Sequence, residues 1–191
     1  MVEFVDVSKH FDDKKVLEHF SYRFEKGSIT AIMGSSGIGK STILKMIMGL
    51  VIPDEGQIVK PTTLRTSVVF QEERLCEFLS PVKNVMMVLE GKNRKETARM
   101  HLQQLLSIED LSKQVVTLSG GMKRRVSIAR AFAYPSDLIL LDEPFTGLDE
   151  DNKKKVIEYM IKNQAGRTII MITHDMNDTK AMNANDVISL S

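Results

Sequence analysis

This sequence of 191 residues has little cysteine, almost no excess of charge of either sign, and no long apolar run. Cys76 is its one cysteine, so no disulfide can form within the chain, which fits a reducing compartment. A lone cysteine is most often a small structural residue, and we assign Cys76 no catalytic role. The formal net charge of +1 gives no strong case for nucleic acid or an anionic membrane surface as the main partner.

No apolar run approaches the roughly 20 residues that a membrane-spanning helix needs. The longest runs, such as TIIMIT at residues 168–173, have the length of strands. The stretch MVEFVDVSKHF lacks the long apolar core of a secretory signal, and we find no repeats or low-complexity segments. We therefore expect a soluble chain, which can still dock on a membrane-embedded partner.

What is present is an ordinary globular mix, 42% hydrophobic and 27% charged, in which short apolar runs alternate with helical patterns. Continuous Val, Ile and Leu runs separated by helices indicate a parallel sheet covered on both faces. Residues 52–56, IPDEG, are typical of a turn. The predicted strands are residues 3–7, 16–24, 28–33, 66–70, 137–141, 167–172 and 186–190, and predicted helices include 40–50 and 151–163.

The texture changes over residues 72–117, where strand signals are few. The stretches PVKNVMMVLE and RKETARMHLQQLLSI space their apolar residues as helices do, which predicts an inserted helical subdomain. Its methionine-rich face is more often plain core, although methionine also suits an adaptable contact surface.

Residues 34–42, GSSGIGKST, fit the pattern G-x-x-x-x-G-K-[ST] between a predicted strand and a predicted helix, and we call them the phosphate loop. Glycines let such a loop turn several N–H groups toward one centre, and the helix N-terminus adds its dipole. Lys40 would supply a charge for the β- and γ-phosphates, and the Ser41 hydroxyl suits Mg²⁺. A glycine-rich turn without ligand is the plainer alternative. The predicted phosphate-binding residues are Gly34, Ser35, Ser36, Gly37, Gly39, Lys40, Ser41 and Thr42.

Residues 137–144, DLILLDEP, place two carboxylates at the end of a predicted buried strand. Asp142 can hold Mg²⁺ directly or through water, and Glu143 can polarise a water aimed at the γ-phosphate. Alone, such a pair would more often be a solvated loop, and the phosphate loop upstream favours the catalytic interpretation. Together the two motifs predict a nucleoside-triphosphate hydrolase or a kinase.

Residues 118–122, LSGGM, open a basic, amphipathic helix with two glycines, although glycine in a helix interior costs roughly 1 kcal/mol relative to alanine. This segment, the signature segment hereafter, resembles the signature motif of ATP-binding cassette (ABC) proteins. Further matches follow in the family's order along nearly the whole chain: Phe11, Gln71, the TGLD stretch of residues 146–149, and His174. The family's motif commonly ends in Gln, where this chain has Met122.

The resemblance implies that two chains pair head to tail, with each ATP between the phosphate loop of one and the signature segment of the other. Ser119, Gly120 and Gly121 would form a second anion-binding helix N-terminus, where a side chain would block close approach. Ser119 as a simple N-cap is the alternative. The implied roles are adenine stacking for Phe11, Mg²⁺ ligation for Ser41, Gln71 and Asp142, catalysis for Glu143, His174, Gln71 and Lys40, and contact across the interface for Asp149.

The implied fold is α/β, a P-loop NTPase core with a parallel sheet, an N-terminal antiparallel β subdomain and an inserted α-helical subdomain. We expect one domain over residues 1–191, with the core at 1–71 and 118–191 and the helical subdomain at 72–117.

The expected function is an ATPase subunit of an ABC transporter that uses ATP and Mg²⁺ and works with separate permease subunits on the cytoplasmic face of the cell membrane. A soluble ABC ATPase acting on protein or nucleic acid is the alternative. A small-molecule kinase would leave the signature segment and His174 unexplained.

Overall fold

The computed structural model describes residues 1–12 and 14–190, and its larger sheet has five strands in the order β5-β6-β7-β3-β8. They are β3 (Ile29–Met33), β5 (Thr66–Val69), β6 (Leu138–Asp142), β7 (Thr168–Ile172) and β8 (Asp186–Ser189). Every neighbouring pair runs parallel. The parallel sheet predicted from the apolar runs is therefore confirmed, and its strands all end at one edge.

Helices cover both faces of this sheet, because the buried residues of its central strands alternate between two cores. The first face packs against α4 (Gly120–Ala133) and α5 (Glu150–Lys162). The second face packs against α1 (Lys40–Ile47) and the smaller sheet. A short helix, α6 (Met176–Ala181), lies between β7 and β8. The carboxyl ends of the strands are left free to carry polar loops.

The smaller sheet is antiparallel and has the order β2-β1-β4. Its strands are β1 (Val2–Phe11), β2 (Lys14–Phe24) and β4 (Glu55–Val59). Phe4 and Phe24 pack edge to face with ring centroids 6.0 Å apart, and both are buried in the second core. The predicted antiparallel subdomain is confirmed.

Two local expectations differ from the structure near residue 50. The helix predicted to run to residue 50 ends at Ile47, because Gly49 adopts a positive φ of 74° that stops it. The turn predicted at residues 52–56 passes directly into β4, whose pairing with β1 was not foreseen. A Cβ at Gly56 would lie 2.2 Å from the carbonyl oxygen of Asp6, so only glycine allows the two strands to approach here.

The segment between β5 and α4 contains the remaining helices. These are α2 (Pro81–Met86) and α3 (Arg94–Leu102), followed by 3₁₀ turns at Glu109–Ser112 and Val115–Thr117. Both α-helices are shorter than their apolar spacing indicated. Met86 packs against the first core, while Met87 is 61% exposed, so the methionines divide between core and surface.

A buried polar contact ties this helical segment to the sheet. His101 Nδ1 of α3 and the Tyr159 hydroxyl of α5 lie 2.7 Å apart. Burial lowers the pKa of His101 and raises that of Tyr159, so both groups are neutral near pH 7.

Among residues 1–12 and 14–190, no helix is both long enough and apolar enough to cross a bilayer.

Candidate functional site

The phosphate loop joins the end of β3 to the start of α1, at the carboxyl edge of the parallel sheet. Gly39 adopts φ 113°, and a Cβ there would lie 2.8 Å from the carbonyl oxygen of Val16. Gly34 adopts φ 147°, and its Cβ would lie 2.8 Å from the carbonyl oxygen of Leu190. Side chains disfavour both backbone conformations, so these two glycines are required by the fold of the chain itself.

Two lysine side chains hold the loop in this structure. Lys40 Nζ donates to the carbonyl oxygens of Gly34 and Ser35 at 2.7 and 2.8 Å. Lys14 Nζ, at the start of β2, donates to the carbonyl oxygen of Gly37 at 3.0 Å. The ammonium group of Lys40 thus lies at the centre of the loop, where a phosphate group could replace the carbonyl acceptors.

Ser41 and Asp142 meet beside the loop, since the Ser41 hydroxyl donates to Asp142 Oδ2 at 3.0 Å. Burial raises the pKa of Asp142, while the Ser41 hydrogen bond and the charge of Lys40 oppose that rise. Gln71 lines the same cleft. A hydroxyl, a carboxylate and an amide oxygen are the hard donors that Mg²⁺ prefers, so the residues present fit this ion.

Glu143 and His174 form the other wall of the cleft. Glu143 follows β6 with φ 48°, and its N–H donates to the carbonyl oxygen of Ile172 at 3.1 Å. His174 follows β7, and its Nδ1 lies 3.0 Å from Glu143 Oε2. The carboxylate is largely buried and the imidazole is 76% exposed, so the histidine is the more accessible partner. A non-glycine residue at positive φ carries local strain, which is common at functional sites.

These groups surround one open cleft of about 490 Å³. Eleven of the predicted site residues line it: Gly34, Ser36, Gly37, Gly39, Lys40, Ser41, Thr42, Gln71, Asp142, Glu143 and His174. The other predicted residues lie outside this lining; they are Phe11, Ser35, Ser119, Gly120, Gly121 and Asp149. Phe11 ends β1 and is 44% exposed as a residue, and the Lys9 ammonium lies 5.3 Å from the centroid of its ring.

The signature segment lies on a different part of the surface, at the start of α4. Ser119 caps this helix, because its Oγ accepts from the N–H of Met122 at 3.3 Å. A Cβ at Gly120 would meet no atom within 4 Å. At Gly121 it would lie 3.2 Å from the carbonyl oxygen of Gly147, in the TGLD stretch of the same chain. Ser119 and Gly120 are both exposed.

Asp149 ends the TGLD stretch and caps α5. Its carboxylate accepts from the Asn152 N–H at 2.8 Å and from the Asn152 amide at 2.7 Å. These hydrogen bonds hold the pKa of Asp149 below its usual range. Within this chain, Asp149 therefore acts as a helix cap.

Side chains of α4 form hydrogen bonds to the segment that carries Gln71. These contacts are not predicted from the sequence. We call residues 70–74 the Gln71 segment. Arg124 donates from Nη1 to the carbonyl oxygen of Phe70 at 2.6 Å and from Nη2 to that of Gln71. Ser127 and Arg130 donate to carbonyl oxygens further along the same segment. The sequence alone indicates only a basic, amphipathic helix here and does not reveal these acceptors.

Lys153 of α5 braces the loop that carries His174, and it too was missed. Its Nζ lies 2.5 Å from Asp178 Oδ1 and 3.4 Å from Asp175 Oδ2. Thr173 donates to the other oxygen of Asp178 at 2.8 Å. Thr173 and Asp175, the two neighbours of His174, therefore both contact the ion pair of Lys153 and Asp178.

Comparison with known proteins places this architecture among relatives. A family model described as ABC transporter matches residues 17–146. The aliphatic sulfonates import ATP-binding protein SsuB 1 of Paraburkholderia xenovorans is 34% identical over 188 residues, covering 95% of this chain and 55% of that protein. The uncharacterized ABC transporter ATP-binding protein YclH of Bacillus subtilis is 33% identical, covering 97% of this chain and 92% of that protein.

Among solved structures, the dimeric post-hydrolysis state of the ATP-binding cassette MJ0796, bound to ADP and phosphate, is similar over the whole chain. The TM-score is 0.87 at 28% identity, covering 100% of this chain and 94% of that chain. The chain spans about half the length of several curated import ATP-binding proteins that it matches.

Proposed function

Since this chain belongs to the ABC transporter family, we propose that it binds and hydrolyses ATP to power transport through separate membrane-embedded permease subunits. The observation that carries the proposal is the convergence of Lys40, Ser41, Asp142, Glu143 and His174 on one cleft at the carboxyl edge of the sheet. Such edges are where parallel α/β sheets bind ligands. A lysine, two hard oxygen donors, a carboxylate and an imidazole are the groups that phosphoryl transfer to water uses.

ATP is held through its phosphates in this proposal. The N–H groups of the phosphate loop and the first turn of α1 face the β- and γ-phosphates, and the helix dipole favours their charge. Lys40 exchanges its bonds to the carbonyl oxygens of Gly34 and Ser35 for bonds to phosphate oxygens. Phe11 stacks on the adenine ring, which accounts for an aromatic side chain left half exposed at the end of β1.

Ser41, Asp142 and Gln71 are the residues that would hold Mg²⁺. When bound, the ion neutralises charge that develops on the phosphate oxygens. The hydrogen bond from the Ser41 hydroxyl to the Asp142 carboxylate orients both groups toward the same point.

Glu143 orients the attacking water and accepts its proton, and His174 contacts the γ-phosphate. The 3.0 Å contact between His174 Nδ1 and Glu143 Oε2 supports a shared role for the two groups at the γ-phosphate. Glu143 directly follows Asp142, the last residue of β6, and both residues line the cleft.

The proposal includes a head-to-tail dimer, with itself or with a different cassette. Ser119, Gly120 and Gly121 of one chain contact the γ-phosphate held by the other, and Asp149 lies at the interface. An exposed helix N-terminus with free space around Gly120 supports this arrangement. ATP then acts as a clamp that hydrolysis opens.

Membrane partners and substrate are also part of the proposal. Matched relatives are named as import ATP-binding proteins for aliphatic sulfonates, spermidine and putrescine, or ferric ions. We propose a peripheral location on the cytoplasmic face of the membrane and an import role. The relatives do not favour the soluble alternative, and their differing substrates leave the solute open.

Two variants test the proposal in purified protein. Lys40→Ala should weaken ATP binding by about tenfold or more, since it removes a charged hydrogen-bond donor from the phosphates. Lys154→Ala, which removes an exposed lysine on α5, is the control and should bind ATP normally. Unchanged ATP affinity in Lys40→Ala, measured by titration calorimetry, would contradict the assignment.

Glu143→Gln should lower the hydrolysis rate by at least about 100-fold and still allow an ATP-stabilised dimer, visible by size-exclusion chromatography. Hydrolysis at the wild-type rate would remove Glu143 from its proposed role.

A further inference from the structure

We infer that Arg124 is a positioning residue that fixes Gln71 in the cleft and thereby links the signature segment to the nucleotide bound by the same chain. The inference rests on the proposed function, because it concerns how the ATP site is organised. Arg124 itself does not line the cleft; it acts through the main chain of the Gln71 segment.

The first observation is the pattern of hydrogen bonds along α4. Arg124, Ser127 and Arg130 are spaced by three residues, so their side chains lie on one face of the helix. All three donate to main-chain carbonyl oxygens of the Gln71 segment, at distances that include 2.6, 2.8 and 2.9 Å. The Gln71 segment therefore follows α4 as one body, although the two are far apart in the sequence.

The second observation is the burial of Arg124, which is only 2% exposed. Its Nε is buried without a hydrogen-bond partner, and burial lowers the pKa of the guanidinium. A buried charged group whose hydrogen-bond acceptors are carbonyl oxygens is costly, even though the carboxylates of Glu73 and Asp142 favour its charge, and an apolar side chain of similar length would cost less. The two hydrogen bonds of Arg124 fix the carbonyl groups of Phe70 and Gln71, which lie on either side of the Gln71 Cα. They therefore fix the position from which the Gln71 side chain extends.

The third observation is the position of α4 between two binding surfaces. Its N-terminus carries Ser119 and Gly120, which are exposed and free to meet a second chain. Arg124 lies little more than one helical turn further along, and a helix transmits a shift at one end to the next turn with little loss. A phosphate group that pulls on Ser119 therefore also moves the Gln71 segment.

These observations predict a specific consequence for the nucleotide. Gln71 lines the cleft beside Ser41 and Asp142, where the donor set fits Mg²⁺. Arg124 should therefore control the part of ATP affinity that depends on Mg²⁺. It should leave the part that comes from the phosphate loop unchanged.

The test is a double-mutant cycle on ATP affinity, measured by titration calorimetry with Mg²⁺ and again with a chelator. The ratio of the two affinities is the magnesium gain. Arg124→Met should lower this gain by about tenfold, as loss of an outer partner of a metal ligand typically does. Gln71→Ala should lower it similarly, and the double variant should lose no more than Gln71→Ala alone.

Arg130→Met is the matched control, since it removes an arginine from the same face of α4 that contacts Glu73 and Arg74 rather than Gln71. It should keep most of the magnesium gain. Arg124→Lys retains the charge and one donor direction and should restore part of the gain, whereas a purely structural loss would not follow this order.

Circular dichroism and melting temperature check that each variant is folded. If Arg124→Met does not fold, Arg124→Gln replaces it, because its amide keeps one donor, and the same direction is expected. An unchanged gain in the folded variant, or losses that add to those of Gln71→Ala, would overturn the inference. The proposed function fails on a different result, namely ATP affinity that Lys40→Ala leaves unchanged.

Discussion

The phosphate loop and the signature segment both contain glycines beside a helix N-terminus, but Gly34 and Gly39 of the loop differ from Gly120 of the signature segment in what surrounds them. A Cβ at Gly39 or Gly34 would meet backbone atoms 2.8 Å away, and both residues have positive φ. A Cβ at Gly120 would meet nothing, and its backbone is helical. Contacts within the chain therefore explain these two glycines of the phosphate loop, whereas no contact among residues 1–12 and 14–190 explains Gly120.

This difference indicates where a second molecule enters. Glycines enforced by the fold mark a site that one chain builds alone. A glycine that the fold does not require, exposed at a helix start, is consistent with a close approach from outside. Substitutions at the two kinds of glycine should therefore separate stability from assembly.

The largest effect is expected for Gly39→Ala. Its new methyl group would lie 2.7 Å from Val16 Cγ1 and 2.8 Å from the Val16 carbonyl oxygen, at φ 113°. We expect the free energy of unfolding in urea to fall by about 2–4 kcal/mol. Gly166→Ala, where φ is 72° and space is open, should lose about 1 kcal/mol. Equal losses in the two variants would mean that the loop does not depend on close packing.

Lys153→Met should have the next largest effect, since it tests whether the cleft is braced internally. It leaves Asp178, with a side chain 6% exposed, without its ammonium partner. We expect a loss of about 3 kcal/mol in the same urea experiment, the low end for a broken buried pair. Lys154→Met removes an exposed lysine from the same helix and should change stability little. If both variants are equally stable, the ion pair does not brace the His174 loop.

Ser119→Ala should cost about 1 kcal/mol, because it removes the N-cap of α4. Ser80→Ala is a matched control, since Ser80 caps α2 with a hydrogen bond of the same length, 3.3 Å. Both variants should lose similar stability. In a Glu143→Gln background, only Ser119→Ala should weaken the ATP-stabilised dimer on size-exclusion chromatography. A dimer weakened equally by both would indicate a general stability effect.

Gly120→Ala should have the smallest effect on stability, and it separates stability from dimer formation most clearly. Alanine is the better helix former and finds open space, so α4 should gain about 0.5 kcal/mol. The ATP-stabilised dimer should nevertheless weaken, as measured in the Glu143→Gln background. A clear loss of stability would show that the fold requires Gly120. An unaffected dimer would contradict the proposal that a second chain approaches Gly120 closely.

Much of the fold could be predicted because β3, β6 and β7 are continuous apolar runs, buried on both faces and bounded by polar loops. β4 could not, since EGQIV is mostly exposed and is a strand only through its pairing with β1. Likewise, α6 has six residues, too few for a helical period to appear in the sequence.

The candidate site divides in the same way. The phosphate loop and the Asp142–Glu143 pair lie in short windows, where residue type and spacing carry the chemistry. Arg124 and Lys153 act on residues far away in the sequence, and their identity as charges on amphipathic helices says nothing of their acceptors. Only the packing of α4 and α5 against the sheet brings these contacts together.

The strand order has a consequence for the newborn chain on the ribosome. Thr30 of β3 is flanked by Ile170 on one side and Asp186 on the other, so both of its neighbours are synthesised long after it. The strand that leads into the phosphate loop therefore stays unpaired until β7 and β8 have been synthesised, which slows folding and favours aggregation. Binding of ATP would stabilise only the folded sheet, so it would not protect the chain from aggregation before β7 and β8 have paired with β3.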